Sequence, residues 1–182
     1  MQTSAVTLSG EKIQVGNCVA VLRQGVELLE KLDDGLYAKA GGPENSSVGG
    51  HFRHNLDFVT NFLDGLEKGK IDYAARERDP RVENDRACAA ARFRAAIDRL
   101  ENLGETVFDA KIVVRSETNP ALWCDSSAAR ELEFLQSHTI HHYALIRFKL
   151  AAEGFQTPPE FGVAPSTLEY WKGLEDRAGE QR

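Results

Sequence analysis

The sequence is poor in cysteine, the residue that stabilises many secreted proteins. It has 3 cysteines among 182 residues. Cys18, Cys88 and Cys124 are widely separated and form no CxxC or Cys/His metal motif. An odd number of distant cysteines is typical of reduced thiols in the cytoplasm. We therefore expect a cytoplasmic protein without a disulfide framework.

The sequence also lacks a long hydrophobic run and a signal peptide. No run reaches the roughly 18 apolar residues that a membrane-spanning helix requires. Residues 1–12 contain no basic start followed by an apolar core, as a secretory signal would. The pattern predicts neither secretion nor insertion into a membrane.

An excess of positive charge is absent as well. The chain has 22 basic and 28 acidic residues and a formal net charge of -6, so it has no general attraction for nucleic acid or anionic lipid. The densest basic region, Arg76–Arg86, is interleaved with acidic residues. This alternation favours a solvent-exposed helix face over a nucleic-acid-binding patch.

The remaining composition is that of a globular protein. Hydrophobic residues make up 42% and charged residues 27% of the chain, which excludes disorder and collagen-like repeats. No internal repeat or low-complexity linker divides the sequence. A chain of this length can bury a full core, so we predict one domain over residues 1–182.

Four segments show apolar residues at the three- and four-residue steps of amphipathic helices. They are Val15–Leu32, Val48–Leu66 after an N-cap at Asn45, Ser46 or Ser47, Val82–Leu103, and a helix from an N-cap at Asp125, Ser126 or Ser127 to Gly154. This pattern predicts an all-α protein with a four-helix bundle. Two smaller elements are a short β-hairpin near 106–118 and a short C-terminal helix over Ser166–Leu174.

All five histidines lie in two of these helices. His51 and His54 belong to the second helix, and His138, His141 and His142 belong to the fourth. Residues three or four positions apart share a helix face, so His138 could chelate one ion together with His141 or His142. A single histidine on an apolar face is usually satisfied by hydrogen bonds, but five in two windows favour metal binding.

His138 and His142 continue an inward series that includes Glu131, Leu135 and Leu145. A third nitrogen from the second helix would complete three protein ligands and leave one coordination position open, as in reactive metal sites. Three imidazoles suit a divalent transition metal such as zinc, nickel, iron or copper.

The second helix offers two candidates for the third ligand. Helical phase places His51 nearer the apolar stripe of Phe52 and Leu56, whereas His54 shares a flank with Phe58, so phase weakly favours His51. Glu131, two turns before His138, is a candidate general base or partner of a ligand; the alternative is an ion pair with an arginine.

Three segments resemble the DinB-like (DinB/YfiT) superfamily of metal-binding four-helix bundles: SSVGGHFRHNLDFV, RELEFLQSHTIHHYALI and FGVAPST. The most specific feature is a histidine seven residues after a serine, joined to a later HxxxH pair. Here these are Ser47 and His54, with His138 and His142. The resemblance therefore implies that His54, His138 and His142 are the metal ligands.

The resemblance also implies that His51 and His141 line the pocket or substitute for a ligand, and that the bundle is up-down-down-up and homodimeric. Some relatives carry a histidine where this chain has Phe58. Relatives include enzymes that activate water or a small thiol, so a metal-dependent hydrolase or small-thiol transferase acting on a small molecule is expected. The alternative is a non-catalytic, stress-related protein that binds a metal or ligand.

Overall fold

The computed structural model describes residues 10–39, 46–104, 108 and 111–180. Asn45 as a helix cap and part of the predicted hairpin, at 106–107 and 109–110, lie outside these ranges. The helices are α1 (Gly10–Lys31), α2 (Asp34–Ala38), α3 (Val48–Leu66), α4 (Pro80–Asn84), α5 (Arg86–Glu101), α6 (Ala128–Ala152) and α7 (Pro165–Glu180). The strands are β1 (Lys70–Ile71), β2 (Ile112–Arg115) and β3 (Trp123–Ser126).

Four long helices form the body of the protein. Helix α1 packs against α5 and α6, and α3 packs against the same two helices, so the ring order is α1, α5, α3, α6. Its centre is filled mainly by aromatic and branched aliphatic side chains. The fully buried aromatic residues include Tyr37, Phe52, Phe62, Phe93, Tyr143 and Phe161. The predicted helical bundle with short strands is confirmed.

Local capping determines where the helices begin. The Ser47 hydroxyl accepts a hydrogen bond from the Gly50 amide (2.9 Å) and starts α3. Ser127 caps α6 in the same way. Asp85 ends α4, and its carboxylate accepts from the Cys88 amide (3.0 Å) to start α5. The single helix predicted over Val82–Leu103 is therefore wrong at its start, where a cap divides it into two helices.

A three-stranded sheet has the strand order β1, β2, β3, and its strand β1 packs against α3. Strands β2 and β3 are antiparallel, while β1 pairs in parallel with β2 through Lys70 and Val113. The hairpin thus exists, but its second strand lies beyond the predicted 106–118. Strand β1 packs directly on Gly65, where a Cβ atom would lie 2.7 Å from the Lys70 carbonyl oxygen.

The C-terminal segment folds back over α6. Phe161 is buried and stacks on Tyr143 at a ring distance of 4.6 Å. Gly162 follows with φ +69°, and a Cβ atom there would lie 2.5 Å from the Ala144 nitrogen. Helix α7 is longer than the predicted Ser166–Leu174. None of the helices in the described ranges combines the length and hydropathy that crossing a bilayer requires.

Candidate metal centre

Helices α3 and α6 bring three histidines together in the described part of the chain. One nitrogen from each of His54, His138 and His142 lies within 4.8 Å of the others. The Nε2 atoms of His54 and His138 are 3.1 Å apart. The ring centroid of His142 is 4.5 Å from that of His54 and 4.6 Å from that of His138. All three side chains are half-buried, so water reaches the cluster.

The other two histidines lie at the margin of this cluster. The Nδ1 atom of His51 is 3.0 Å from Nδ1 of His142, so one nitrogen donates a hydrogen bond to the other. This contact leaves Nε2 of His142 for the cluster. His141 is exposed, and its ring meets that of His142 edge-on at 5.3 Å. His51 is thus placed to orient His142, and His141 points away toward solvent.

The position of the cluster corrects one expectation from helical phase. Leu145, assigned to the inward series, is 37% exposed. Glu131 and Leu135 of that series are buried, and the core side of α6 continues through Thr139, Tyr143 and Ile146. The histidines occupy the flank of α6 that faces α3. The site therefore lies at the edge of the bundle, where small molecules reach it.

Partial burial keeps the imidazoles neutral. Loss of hydration lowers the pKa of His51, His54 and His138 from 6.5 to about 4 and that of His142 to about 3. These values include the smaller effect of positive charge on neighbouring groups. Neutral imidazole has the free lone pair that a metal needs. At pH 7 the cluster is therefore ready to bind a cation without first losing protons.

Arg76 contacts the cluster from a loop. Its NH1 nitrogen is 2.6 Å from Nδ1 of His54. A guanidinium group only donates hydrogen bonds, so Nδ1 accepts and Nε2 of His54 carries the proton. That proton is then directed at Nε2 of His138. The remaining nitrogen of His138, Nδ1, is buried and has no hydrogen-bond partner among the described groups.

The loop that carries Arg76, residues 72–79, follows β1 and is fixed at several points. The Asp72 carboxylate accepts from the Ala74 amide (3.0 Å) and from Arg115 of β2 (2.8 Å). Asn61 of α3 donates to the Asp72 carbonyl (3.1 Å). These bonds connect the loop to α3 and to the sheet. Arg76 is therefore placed by the fold, although it belongs to no helix or strand.

Glu131 anchors the same loop from the other side. Only 2% of its surface is exposed. Its carboxylate accepts hydrogen bonds from the Tyr73 hydroxyl (2.8 Å), from Ser126 (2.5 Å) and from Arg130 (3.2 Å). No histidine is among these partners. The structure thus supports the anchoring of Tyr73 by Glu131, and its action as a general base stays a prediction.

Aromatic rings close the cluster on the side of Glu131. Phe58 stacks on His138 at a ring distance of 4.1 Å and on Tyr73 at 5.0 Å. Phe134 contacts both Tyr73 and His138. Phe58 supplies an apolar wall here. This wall restricts ligands of the cluster to the side of Arg76 and His51.

The three clustered side chains fit a divalent transition metal. Two nitrogens sharing a tetrahedral zinc ion are about 3.3 Å apart, as follows from zinc–nitrogen bonds of about 2.0 to 2.1 Å. The 3.1 Å between the Nε2 atoms of His54 and His138 is close to this value. The hydrogen bond between Nδ1 of His142 and Nδ1 of His51 is of the kind that orients metal-binding imidazoles.

Sequence reasoning predicted the three clustered histidines but missed Arg76. The segment Arg76–Arg86 was interpreted as a solvated helix face, whereas residues 76–79 lie in the loop and Arg76 contacts His54. Alternating charges gave no signal of this contact. The His51 preference drawn from helical phase is not reflected in the geometry, since His54 is the α3 residue within the cluster.

Comparison with known proteins gives one family. A sequence profile of the DinB superfamily matches residues 20–146, which include all five histidines. A crystal structure of a DinB-like protein from Bacillus subtilis has a similar fold, with a TM-score of 0.60 and 19% sequence identity. The match covers 80% of this chain and 94% of that protein. This likeness concerns the fold alone.

A curated relative is also similar in sequence. FK506-binding protein 5 of Rhizopus delemar is 32% identical over 106 residues, which are 56% of this chain. The match covers 28% of that protein, so this chain corresponds to a minor part of its length.

Proposed function

The chain belongs to the DinB superfamily, and on this premise we propose that it binds one divalent transition-metal ion through His54, His138 and His142. The observation that carries the proposal is the convergence of three neutral imidazoles from two helices. One nitrogen of each ring lies within 4.8 Å of the others, a spacing that allows all three to hold one ion. Zinc, nickel and iron all match this donor set.

Three protein ligands leave room for a small molecule. A divalent ion held there would supply Lewis acidity and lower the pKa of a water molecule or small thiol that approaches it. The protein would orient His142 through His51 and exclude solvent on one side with Phe58 and Phe134. We propose a metal-dependent hydrolase or small-thiol transferase, because both reactions need an activated nucleophile and neither needs a nucleophilic side chain.

The second candidate is a stress-related protein that binds a metal or ligand without turnover. The hydrogen bonds of Glu131 favour it, because this carboxylate is engaged by three donors and contacts no histidine. No carboxylate in the described ranges forms a hydrogen bond with any of the three histidines. A hydrolase or transferase at this site would therefore need a proton acceptor from its substrate, whereas binding without turnover needs none.

We further propose a cytoplasmic homodimer. The free thiols of Cys18, Cys88 and Cys124 support a reducing compartment. The dimer is supported by exposed apolar side chains on α6 and α7, the most exposed being Phe148 at 74% and Tyr170 at 61%. Light scattering after size-exclusion chromatography measures the mass, and a monomer at micromolar concentration would contradict the dimer.

Elemental analysis of untagged protein tests the metal site. Wild type should contain close to one equivalent of a transition metal, and His138→Ala/His142→Ala should contain none. His141→Ala is the matched control, because this exposed residue lies next to His142 and should keep the metal. Absence of metal from wild type, even after reconstitution with zinc, nickel and iron, would refute the proposed site.

Two single variants separate a ligand from its orienting partner. His54→Ala should abolish stoichiometric binding, whereas His51→Ala should weaken affinity by about 10- to 100-fold while keeping the stoichiometry. The reverse order would assign the ligand to His51. Loaded protein is then screened with small thiols and with ester and amide substrates. Metal binding without turnover would favour the second candidate.

A further inference from the structure

Arg76 differs from the neighbouring arginines in its partner. Arg53, Arg92 and Arg115 each form an ion pair with a carboxylate. Within the described ranges Arg76 forms no such ion pair, and its guanidinium donates to the neutral imidazole of His54. A half-buried cation paired with a neutral acceptor keeps most of its electrostatic potential. Arg76 thus presents positive charge beside the histidine cluster, where its nearest hydrogen-bond partner is neutral and the carboxylate of Asp57 interacts with it only at longer range.

The loop holds this charge in place before any ligand arrives. The anchors of Asp72 to Arg115 and of Tyr73 to Glu131 lie four and three residues before Arg76, respectively. The amide of Arg76 itself donates to the Ala74 carbonyl (2.9 Å) in a tight turn. A pre-organised guanidinium loses little conformational entropy when it binds a planar anion. The arrangement is typical of a recognition residue.

Metal binding would break the contact of Arg76 with His54. In the structure, Nδ1 of His54 accepts from Arg76 and Nε2 carries the proton. Binding a metal through Nε2 requires this proton to move to Nδ1, which then becomes a donor. Two donors repel each other at 2.6 Å. The guanidinium of Arg76 would therefore be released from His54, one imidazole ring away from the metal.

The ligand set adds no negative charge to offset this. The three clustered histidines are neutral, and no carboxylate belongs to the cluster in the described part of the chain. A divalent ion and a free guanidinium would together attract an anion. We propose that Arg76 is the anion-recognising residue of this site, and that the small molecule bound at the metal centre carries a carboxylate held by Arg76.

This inference depends on the proposed metal site, and cobalt allows the two to be tested separately. The visible spectrum of Co²⁺-loaded protein is titrated with acetate and with acetamide, its neutral analogue. Acetate should bind to Arg76→Met at least about tenfold more weakly than to wild type, as expected for the loss of a charge-assisted hydrogen bond. The affinity for acetamide should be the same in both proteins.

Two further variants serve as controls. Arg76→Lys keeps the charge but not the fork of donors, and should show an intermediate affinity for acetate. Arg23→Met removes an exposed arginine that pairs with Glu101, and should behave as wild type. Circular dichroism verifies that every variant is folded. The affinity for Co²⁺ in Arg76→Met should equal or exceed that of wild type, because the competing donor at His54 is gone.

The outcomes distinguish the two proposals. Failure of wild type to bind Co²⁺ overturns the metal site and this inference with it. Binding of Co²⁺ with equal acetate affinity in wild type and Arg76→Met overturns the role of Arg76 alone. A lower affinity for Co²⁺ in Arg76→Met also overturns it, since Arg76 would then support the metal site instead of being displaced.

Discussion

Acidification of the metal-free protein should destabilise it strongly between pH 7 and pH 4. Burial lowers the pKa of four histidines from 6.5 to about 4 or about 3. As the pH falls through 6.5, the unfolded chain takes up protons that the folded chain refuses. The stability conferred by the neutral rings is therefore complete above pH 6.5 and is lost as the pH falls toward the folded values.

The magnitude follows from these values. A histidine whose pKa changes from 6.5 to about 4 on folding lowers the unfolding free energy of the protein by about 2 kcal/mol when the pH falls from 7 to 5. The rings are half-buried and can turn toward water when charged, so about half of this is realistic. Four histidines then give a loss of about 4 kcal/mol, a large share of the stability of a typical domain.

Urea unfolding followed by circular dichroism at pH 7, 6 and 5, with a chelator present, measures this loss. The variant His138→Gln/His142→Gln should lose about half as much stability as wild type over the same interval, and His141→Gln should match wild type. The Asp79 carboxyl has its pKa lowered to about 2 by Arg81 and titrates below this window. Equal unfolding free energies at pH 7 and pH 5 in wild type would refute the reasoning.

Three further substitutions test the packing on α6, the solvent exposure of α7 and the hydrogen bond of Tyr73 by thermal and urea unfolding. Gly162→Ala should destabilise the protein by about 1 to 3 kcal/mol, because φ is +69° and the new Cβ would lie 2.5 Å from the backbone of α6; an unchanged midpoint would contradict this packing. Gly173→Ala, in open space on α7, should instead stabilise by up to about 1 kcal/mol. Tyr73→Phe should cost about 1 to 3 kcal/mol by leaving the buried Glu131 carboxylate short of a donor, and a smaller effect would show that Ser126 and Arg130 suffice.

Local patterns predicted the helices and the clustered histidines well. Ser47 was one of three candidate N-caps because capping depends on residues a few positions apart, and helical periodicity placed both His141 and His142 within reach of His138. The choice between His51 and His54 needed the resemblance to known bundles. Helical phase carried little information there because the cluster lies on the flank of α6, where half-buried polar side chains blur the apolar stripe.

Non-local pairing explains what the sequence did not reveal. Strand β1 has two residues and pairs with Val113 and Val114, which are far away along the chain. So short an element carries no periodicity, and its partner is chosen by the tertiary fold. The location of Arg76 depends on this pairing and on the buried bond between Tyr73 and Glu131. The distant partners of these contacts, Val113 and Glu131, lie outside any short window of sequence around Arg76.

The division of the site between two parts of the fold has a consequence for how it could change during evolution. The clustered imidazoles belong to α3 and α6, whereas Arg76 belongs to a loop held by β1, β2 and Tyr73. Substitutions or insertions in the hairpin would move the guanidinium while the helices keep their spacing. Ligand preference could then diversify through changes in a surface segment, while the three imidazoles of the helices keep their arrangement.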